Sequence, residues 1–241
     1  MKLQTVPYFG GKGAIYKWIL ANFPEHDYLV DAFGGSGVII LNDTVPGLYN
    51  EIDPDLFWMM INIKWACDQF VDRLREVEYC ESTCKSASRY FKLAEGSFDR
   101  SVAYYTWQRM RYAGGEAAGR GFKWTGRQTW ENMLLKLPVI AQRLQNITIS
   151  NKSALELLPL NPAVQRGTKP LIYLDPPYPR GLRTRGLYKY EFDEHEKLMQ
   201  LAERHAFVLS SYDSTLPYPH VKKPTRNQNG KAREEYLYIH A

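Results

Sequence analysis

The run Leu171-Ile172-Tyr173-Leu174 stops at Asp175-Pro176-Pro177-Tyr178, and this junction constrains the fold more than any other stretch. Four consecutive apolar residues fit a strand buried on both faces. Neither proline has an N–H to give to a ladder, so the strand ends at Leu174. The prolines also stiffen the backbone behind it. The Asp175 carboxylate and the Pro176 carbonyl become two fixed acceptors at a strand end. Two adjacent acceptors suit an exocyclic NH2, which has two donor hydrogens. Tyr178 adds a flat face.

A second junction has the same logic. Tyr28-Leu29-Val30-Asp31 reads as a buried strand, and Ala32-Phe33-Gly34-Gly35-Ser36-Gly37 follows as a tight turn whose backbone can approach a ligand closely. The turn lacks the third glycine of the G-x-G-x-x-G dinucleotide fingerprint, since Val38-Ile39-Ile40 comes next. Tyr8-Phe9-Gly10-Gly11-Lys12-Gly13 is not a P-loop, because Gly13 stands where Ser or Thr should hold magnesium. Leu48 to Ile52 reads as another strand, with Glu51 placed to accept the hydroxyls of a ribose. Asp53-Pro54-Asp55 starts a helix, and apolar residues from Leu56 to Leu74 continue one face to about Val77.

Further strands are expected at 147–149, 207–209 and 236–239, and helices at 130–144 and 192–205. The Pro-rich, basic stretch 215–233 reads as a loop, and the glycines at 114–115 and 119–121 as a mobile one. Apolar strands alternating with helices predict an α/β fold with a mostly parallel sheet covered on both faces.

Length, charge and cysteines bound the function. The 241 residues suit one α/β domain with an insertion. Three cysteines are too few for a disulfide framework, and no long apolar run or signal core is present, so a cytoplasmic protein is expected. The sequons at Asn146 and Asn151 are then chance. The net charge of +5 is concentrated in the window 85–136, which holds ten Lys/Arg against four acids. Tyr104, Tyr105, Trp107, Tyr112, Phe122, Trp124 and Trp130 share that window. Basic groups beside aromatics are what phosphates and bases call for, although an exposed helical region with core aromatics gives the same composition.

Some chemistries fit poorly. The five histidines are scattered, and Cys80 and Cys84 lack a second pair, so no metal site is expected. No elbow supports a Ser-His-Asp triad. A cytosine-C5 nucleophile usually follows proline, whereas Cys67, Cys80 and Cys84 follow Ala66, Tyr79 and Thr83.

Together these motifs resemble the Dam-type, alpha-class adenine-specific DNA N6-methyltransferases, in the order glycine motif, recognition region, Asp-Pro-Pro-Tyr. The resemblance covers residues 1–60 and 147–241, and the central window by position only. It implies a Rossmann-like S-adenosylmethionine-dependent fold, with 1–78 and 145–241 as the catalytic part and 79–144 as an inserted, mainly helical DNA-recognition region. It implies Asp175, Pro176 and Tyr178 as catalytic residues. The cofactor positions it implies are Tyr8, Gly11, Lys12, Asp31, Phe33, Gly35, Gly37, Glu51, Ile52 and Asp175. Glu51 replaces the more usual Asp, Ser153 stands where many relatives carry an acid, and Tyr212 where Asn is frequent.

Double-stranded DNA is the implied partner, with Arg109, Arg111, Arg120, Lys123 and Arg127 as recognition candidates and Arg183 and Arg185 beside the catalytic motif. The target base would be flipped out of the duplex. A bacterial or phage origin, a monomer or weak dimer, and a restriction endonuclease acting on the same site all fit this reading. No membrane or metal is implied, and no recognition sequence can be transferred. Methylation of cytosine N4, an RNA adenine or a protein glutamine, and an inactive DNA-binding protein on the same fold, are the alternatives.

Overall fold

The computed structural model describes residues 1–8, 10–94, 96–111, 121–123, 126–158, 160, 167–178, 190, 192–226 and 232–241. Among the described residues seven strands form one sheet: β1 Tyr28–Asp31, β2 Gly47–Asn50, β3 Ile147–Ser150, β4 Pro170–Leu174, β5 Ala206–Ser211, β6 His220–Arg226 and β7 Ala232–His240. Their spatial order is β3-β2-β1-β4-β5-β7-β6. The first five are parallel, while β7 runs antiparallel to both β5 and β6. This is the mostly parallel sheet that the alternation of strands and helices predicts.

Side-chain alternation divides the core between the two sheet faces. Leu29, Leu171, Tyr173 and Val208 belong to one buried cluster, which also takes in Leu56, Met60, Tyr105 and Leu137. Val30, Ile172, Leu174 and Phe207 belong to another, with Leu157, Leu198 and Ala202. The first cluster is built with helices α2 Pro54–Trp65, α3 Cys67–Arg75, α5 Ser97–Met110 and α6 Arg127–Leu144. The second is covered by α7 Ala154–Leu157 and α8 His195–Ala202. Helices α1 Tyr16–Ala21 and α4 Glu81–Leu93 complete the set among the described residues.

Four local expectations are corrected. The helix expected to run to Val77 is two, because Ala66 (φ −134°, ψ 36°) leaves helical geometry and breaks the ladder. The apolar spacing continues across that break, so spacing alone could not show it. The helix expected from Phe192 begins only at His195, and Phe192 instead packs edge-on against Phe33. The stretch 215–233 contains β6 and the start of β7 rather than a loop alone. An edge strand tolerates Lys222, Lys223 and Pro224 where a central one would not. The aromatics expected to meet bases are largely core: Tyr104, Tyr105, Phe122 and Trp130 are buried. Tyr112, Trp124 and the glycines at 114–115 lie outside the described residues.

The sheet order reverses between β1 and β4, since β2 and β3 extend to one side and β5 to the other. Open α/β sheets bind ligands beyond the carboxyl ends of the strands at this switch point. Among the described residues no helix is long and apolar enough to cross a membrane.

Candidate active site

A cleft of about 930 Å³, open to solvent, lies at that switch point. The strand ends of β1, β2, β3 and β4 all contribute to it, through Asp31, Asn50, Ser153 and Asp175 among others. Of the sequence-derived cofactor positions, Tyr8, Gly11, Lys12, Asp31, Phe33, Gly35, Glu51, Ile52 and Asp175 line this one cavity.

The turn after β1 forms the floor. Gly35 (φ +50°) and Gly37 (φ +72°) take left-handed backbone, which other residues adopt only with strain. A Cβ on Gly37 would also stand 2.6 Å from Met60 Cε. The turn is tied on both sides. Gly35 N–H donates to Glu51 Oε2 at 2.7 Å, and the Tyr49 hydroxyl donates to the Gly35 carbonyl at 2.7 Å. Thr5 donates to the Ser36 carbonyl from both its N–H (3.2 Å) and its hydroxyl (3.0 Å), which fastens the N-terminal segment beside the turn.

Glu51 carries more than the sequence suggested. Its other oxygen accepts from Asp53 N–H at 2.9 Å, so the carboxylate braces the start of α2 as well as the glycine turn. Asp53 itself caps α2 by accepting from Asp55 N–H. A carboxylate offers about four acceptor sites, so Glu51 keeps acceptor capacity for a ligand. Burial raises the Glu51 pKa from 4.5 to about 7, against the pull of the Asp53, Gly35 and Ile52 N–H groups. Ile52 is 46% exposed at the cleft wall, an apolar flank suited to a planar ring.

Two asparagines that sequence reasoning left unused staple the strand ends. Asn50 Nδ2 donates to the carbonyls of Ala32 and Lys152, and Asn50 Oδ1 accepts from Lys152 N–H. Asn151 Nδ2 donates to the Glu51 and Ile52 carbonyls. Ser153 caps α7 in a reciprocal capping box with Glu156.

The reactive end is built around Lys12. Its ammonium is 5% exposed and donates to Asp175 Oδ1 at 2.6 Å, Asp175 Oδ2 at 2.8 Å and the Tyr178 hydroxyl at 3.0 Å. It also donates to the Gly10 carbonyl at 3.1 Å. Burial works against the Lys12 charge, but Asp175 and Glu235 outweigh it and hold the pKa well above 10.5. Burial pushes the Asp175 carboxyl up, and Lys12 opposes that. Lys12 therefore stays cationic and favours the ionised form of Asp175. Pro176 is buried behind Asp175, and the Pro177 carbonyl is hydrogen-bonded to His195 Nε2 at 3.0 Å. The Tyr178 ring packs on Tyr212 with centroids 4.5 Å apart.

A second carboxylate stands in this cluster that sequence reasoning missed. Glu235 on β7 is 1% exposed, and its Oε1 lies 3.8 Å from Lys12 Nζ and 3.4 Å from the Tyr178 hydroxyl. Burial raises its pKa to about 7, while Lys12 pulls it down.

Asp31 is a further buried acid of the cleft. Burial, then the nearby charges of Asp175 and Glu51, push its pKa from 3.8 to about 8. Its Oδ1 is buried with no hydrogen-bond partner in the protein. A buried orphan acceptor lining a cleft calls for a donor from outside the chain.

The basic candidates separate. Arg109 is a buried tie, not a surface group. Its Nη2 donates to the Gln4 carbonyl at 2.9 Å and to the Thr5 carbonyl, and its guanidinium lies 5.6 Å from the Tyr105 ring centroid. Arg111 stacks on Trp107 at 4.3 Å and bonds Gln108 Oε1. Lys123 is half-buried with its backbone on Met110, and Arg127 is exposed at the start of α6. Arg120, Arg183 and Arg185 lie outside the described residues. Among the described residues no group of three or more His, Cys, Asp or Glu could hold a metal ion.

The family model of the D12 class N6 adenine-specific DNA methyltransferases matches residues 8–220. No curated protein matches the chain.

Proposed function

Because the chain belongs to the D12 class N6 adenine-specific DNA methyltransferase family, we propose that it moves a methyl group from S-adenosylmethionine to the N6 amine of a flipped adenine at specific sites in DNA. The observation that carries this reading is the Asp175 carboxylate at the end of β4, facing the same switch-point cleft as the glycine turn of β1.

The residues present fit the cofactor. The orphaned Asp31 Oδ1 is an acceptor for its ammonium group. The Gly35 and Gly37 turn lets backbone come close to it, and Phe33 and Ile52 give apolar contact for its adenine. The free acceptor sites of Glu51 suit its ribose hydroxyls. When bound, S-adenosylmethionine supplies an electrophilic methyl group on a positively charged sulfur.

The chain's own part is to prepare the amine. An adenine amine is a poor nucleophile because its lone pair is delocalised into the ring. Asp175 and the Pro176 carbonyl accept its two N–H bonds, which favours a tetrahedral nitrogen with a localised lone pair. Held at the end of β4, these two acceptors stabilise the positive charge growing on nitrogen. Holding the amine in line within about 3–3.5 Å of the reacting carbon supplies the remaining advantage. As the N–C bond would form, the methyl's bond to sulfur would break, and one N6 proton would pass to water by way of the Asp175 carboxylate. Flipping the base costs a few kcal/mol. Tyr178 offsets about 1–3 kcal/mol of this by stacking in the base-bound state. Arg111, Lys123 and Arg127 are the described candidates for DNA contact, with Arg120, Arg183 and Arg185 completing the set.

Incubation with S-adenosylmethionine and unmethylated DNA, digestion, and mass spectrometry of the nucleosides test the reading. N6-methyldeoxyadenosine is expected. A methylated cytosine, or product only with RNA or protein added, overturns it.

A further inference from the structure

The proposed reaction gives Asp175 two cationic clients. Lys12 already holds both of its oxygens, at 2.6 and 2.8 Å. The target amine must bond the same carboxylate and becomes positive as it is methylated. An ammonium fixed on Asp175 would compete for its lone pairs and repel that charge. Nor can Lys12 simply withdraw into water, because it is 5% exposed. A buried ammonium without a counter-charge is strongly disfavoured.

Glu235 answers this conflict. It reaches across from β7 with its Oε1 3.8 Å from Lys12 Nζ, and it is almost fully buried. The Tyr178 hydroxyl bridges the two, 3.0 Å from Lys12 and 3.4 Å from Glu235. A lysine carries its charge on a flexible four-carbon stem with three donors, so a shift of about an ångström moves it from one carboxylate to the other. We infer that Glu235 is a positioning residue: the second seat of the Lys12 ammonium, which takes it up when Asp175 turns to the target amine.

The charge count agrees. Asp175, Lys12 and Glu235 together carry −1, which matches one developing positive charge. Without ionised Glu235 the cluster is neutral, and Lys12 stays on Asp175. The groups around Glu235 are Lys12 from the N-terminal segment, Asp175 and Tyr178 after β4, Tyr173 on β4, Tyr212 after β5, Arg233 two positions before it on β7, and Lys223 opposite it in the β6–β7 register. Lys12, Arg233 and Lys223 are the cations among these. Lys223 sits over the Trp18 ring and Arg233 over the Tyr212 ring, while Lys12 forms the ion pair with Glu235.

The inference rests on the proposed methylation, and the test separates the two. Turnover, KM for DNA and the pH profile are measured for wild type, Glu235→Gln and Glu235→Asp, with thermal melts to confirm folding. Glu235→Gln is expected to lower kcat at least about tenfold, with KM for DNA and cofactor affinity within about twofold. Ionisation of Glu235, whose pKa is raised to about 7, should make the wild-type rate rise near neutral pH, and Glu235→Gln should remove that rise. Glu235→Asp should recover part of the rate. If Glu235→Gln melts early, Glu235→Asp carries the same comparison through a shifted profile. In a Lys12→Met background, adding Glu235→Gln should change kcat less than about twofold, because the seat has lost its occupant. Wild-type rate and profile in Glu235→Gln overturn the inference. So does an equal loss in both backgrounds, or an Asp variant no better than Gln. A wild-type protein that methylates no adenine overturns the underlying function instead.

Discussion

Lys12 Nζ and the Asp175 carboxylate, 163 positions apart in sequence, meet at 2.6 and 2.8 Å inside a buried cluster. The contact joins the N-terminal glycine segment to the strand end that carries the proposed chemistry. Its electrostatics are directional. Burial raises the Asp175 pKa and Lys12 lowers it, so removing Lys12 must raise it further.

Lys12→Met should therefore lose most activity and move the acidic limb of the rate profile to higher pH. The sign follows from Asp175 acting as an acceptor only when ionised. A rate–pH profile of the variant checks this. An unshifted limb would show that Asp175 does not depend on Lys12.

The cleft acids predict how the ligand-free protein responds to pH. Asp31 is raised from 3.8 to about 8 and Glu51 from 4.5 to about 7. The folded state thus keeps protons that the unfolded chain has already released. Their contribution to stability is full below about 4 and is lost as pH rises through 7 for Glu51 and 8 for Asp31. Melting temperature without ligand should fall from pH 6 to pH 8.5, and Asp31→Asn should flatten that fall. A melting temperature rising over the same interval contradicts the assignment.

Arg109 and Arg127 should behave oppositely. Arg109→Met leaves two backbone carbonyls of the N-terminal segment without their donor, and stability should drop by about 1–3 kcal/mol. Arg127→Ala touches an exposed side chain, so the fold should be unaffected. DNA affinity should weaken, and the slope of log Kd against log salt should change by about one phosphate contact. Chemical denaturation and binding titrations at several salt concentrations distinguish the two. A stable Arg109→Met protein with selectively weak DNA binding would reverse the assignment of Arg109.

Much of the fold was legible because strand ends carry strong local signals. β1 ends at glycines and β4 at two prolines, and both junctions fold as those residues require. β6 was not legible, because Lys222, Lys223 and Pro224 read as loop until an edge position makes them acceptable. The composition of the window 85–136 could not say which of its basic and aromatic side chains turn inward. A subtler signal was present. Val102 to Thr106 is apolar or small all around the helix, the mark of a buried α5, and Arg109 follows one turn after Tyr105. Glu235 had no signal at all. It sits in Arg233-Glu234-Glu235-Tyr236, where Glu234 is exposed and paired with Lys222. Only the antiparallel return of β7 beside β5 carries the second acid to Lys12.

The most direct measurement is label transfer from tritiated S-adenosylmethionine to unmethylated genomic DNA, run side by side for wild type and Asp175→Ala, with the nucleosides separated afterwards. Label is expected in N6-methyldeoxyadenosine for the wild type and nowhere for the variant, which should still fold and bind the cofactor. Wild-type label in the variant, or label in a cytosine derivative, would contradict the account.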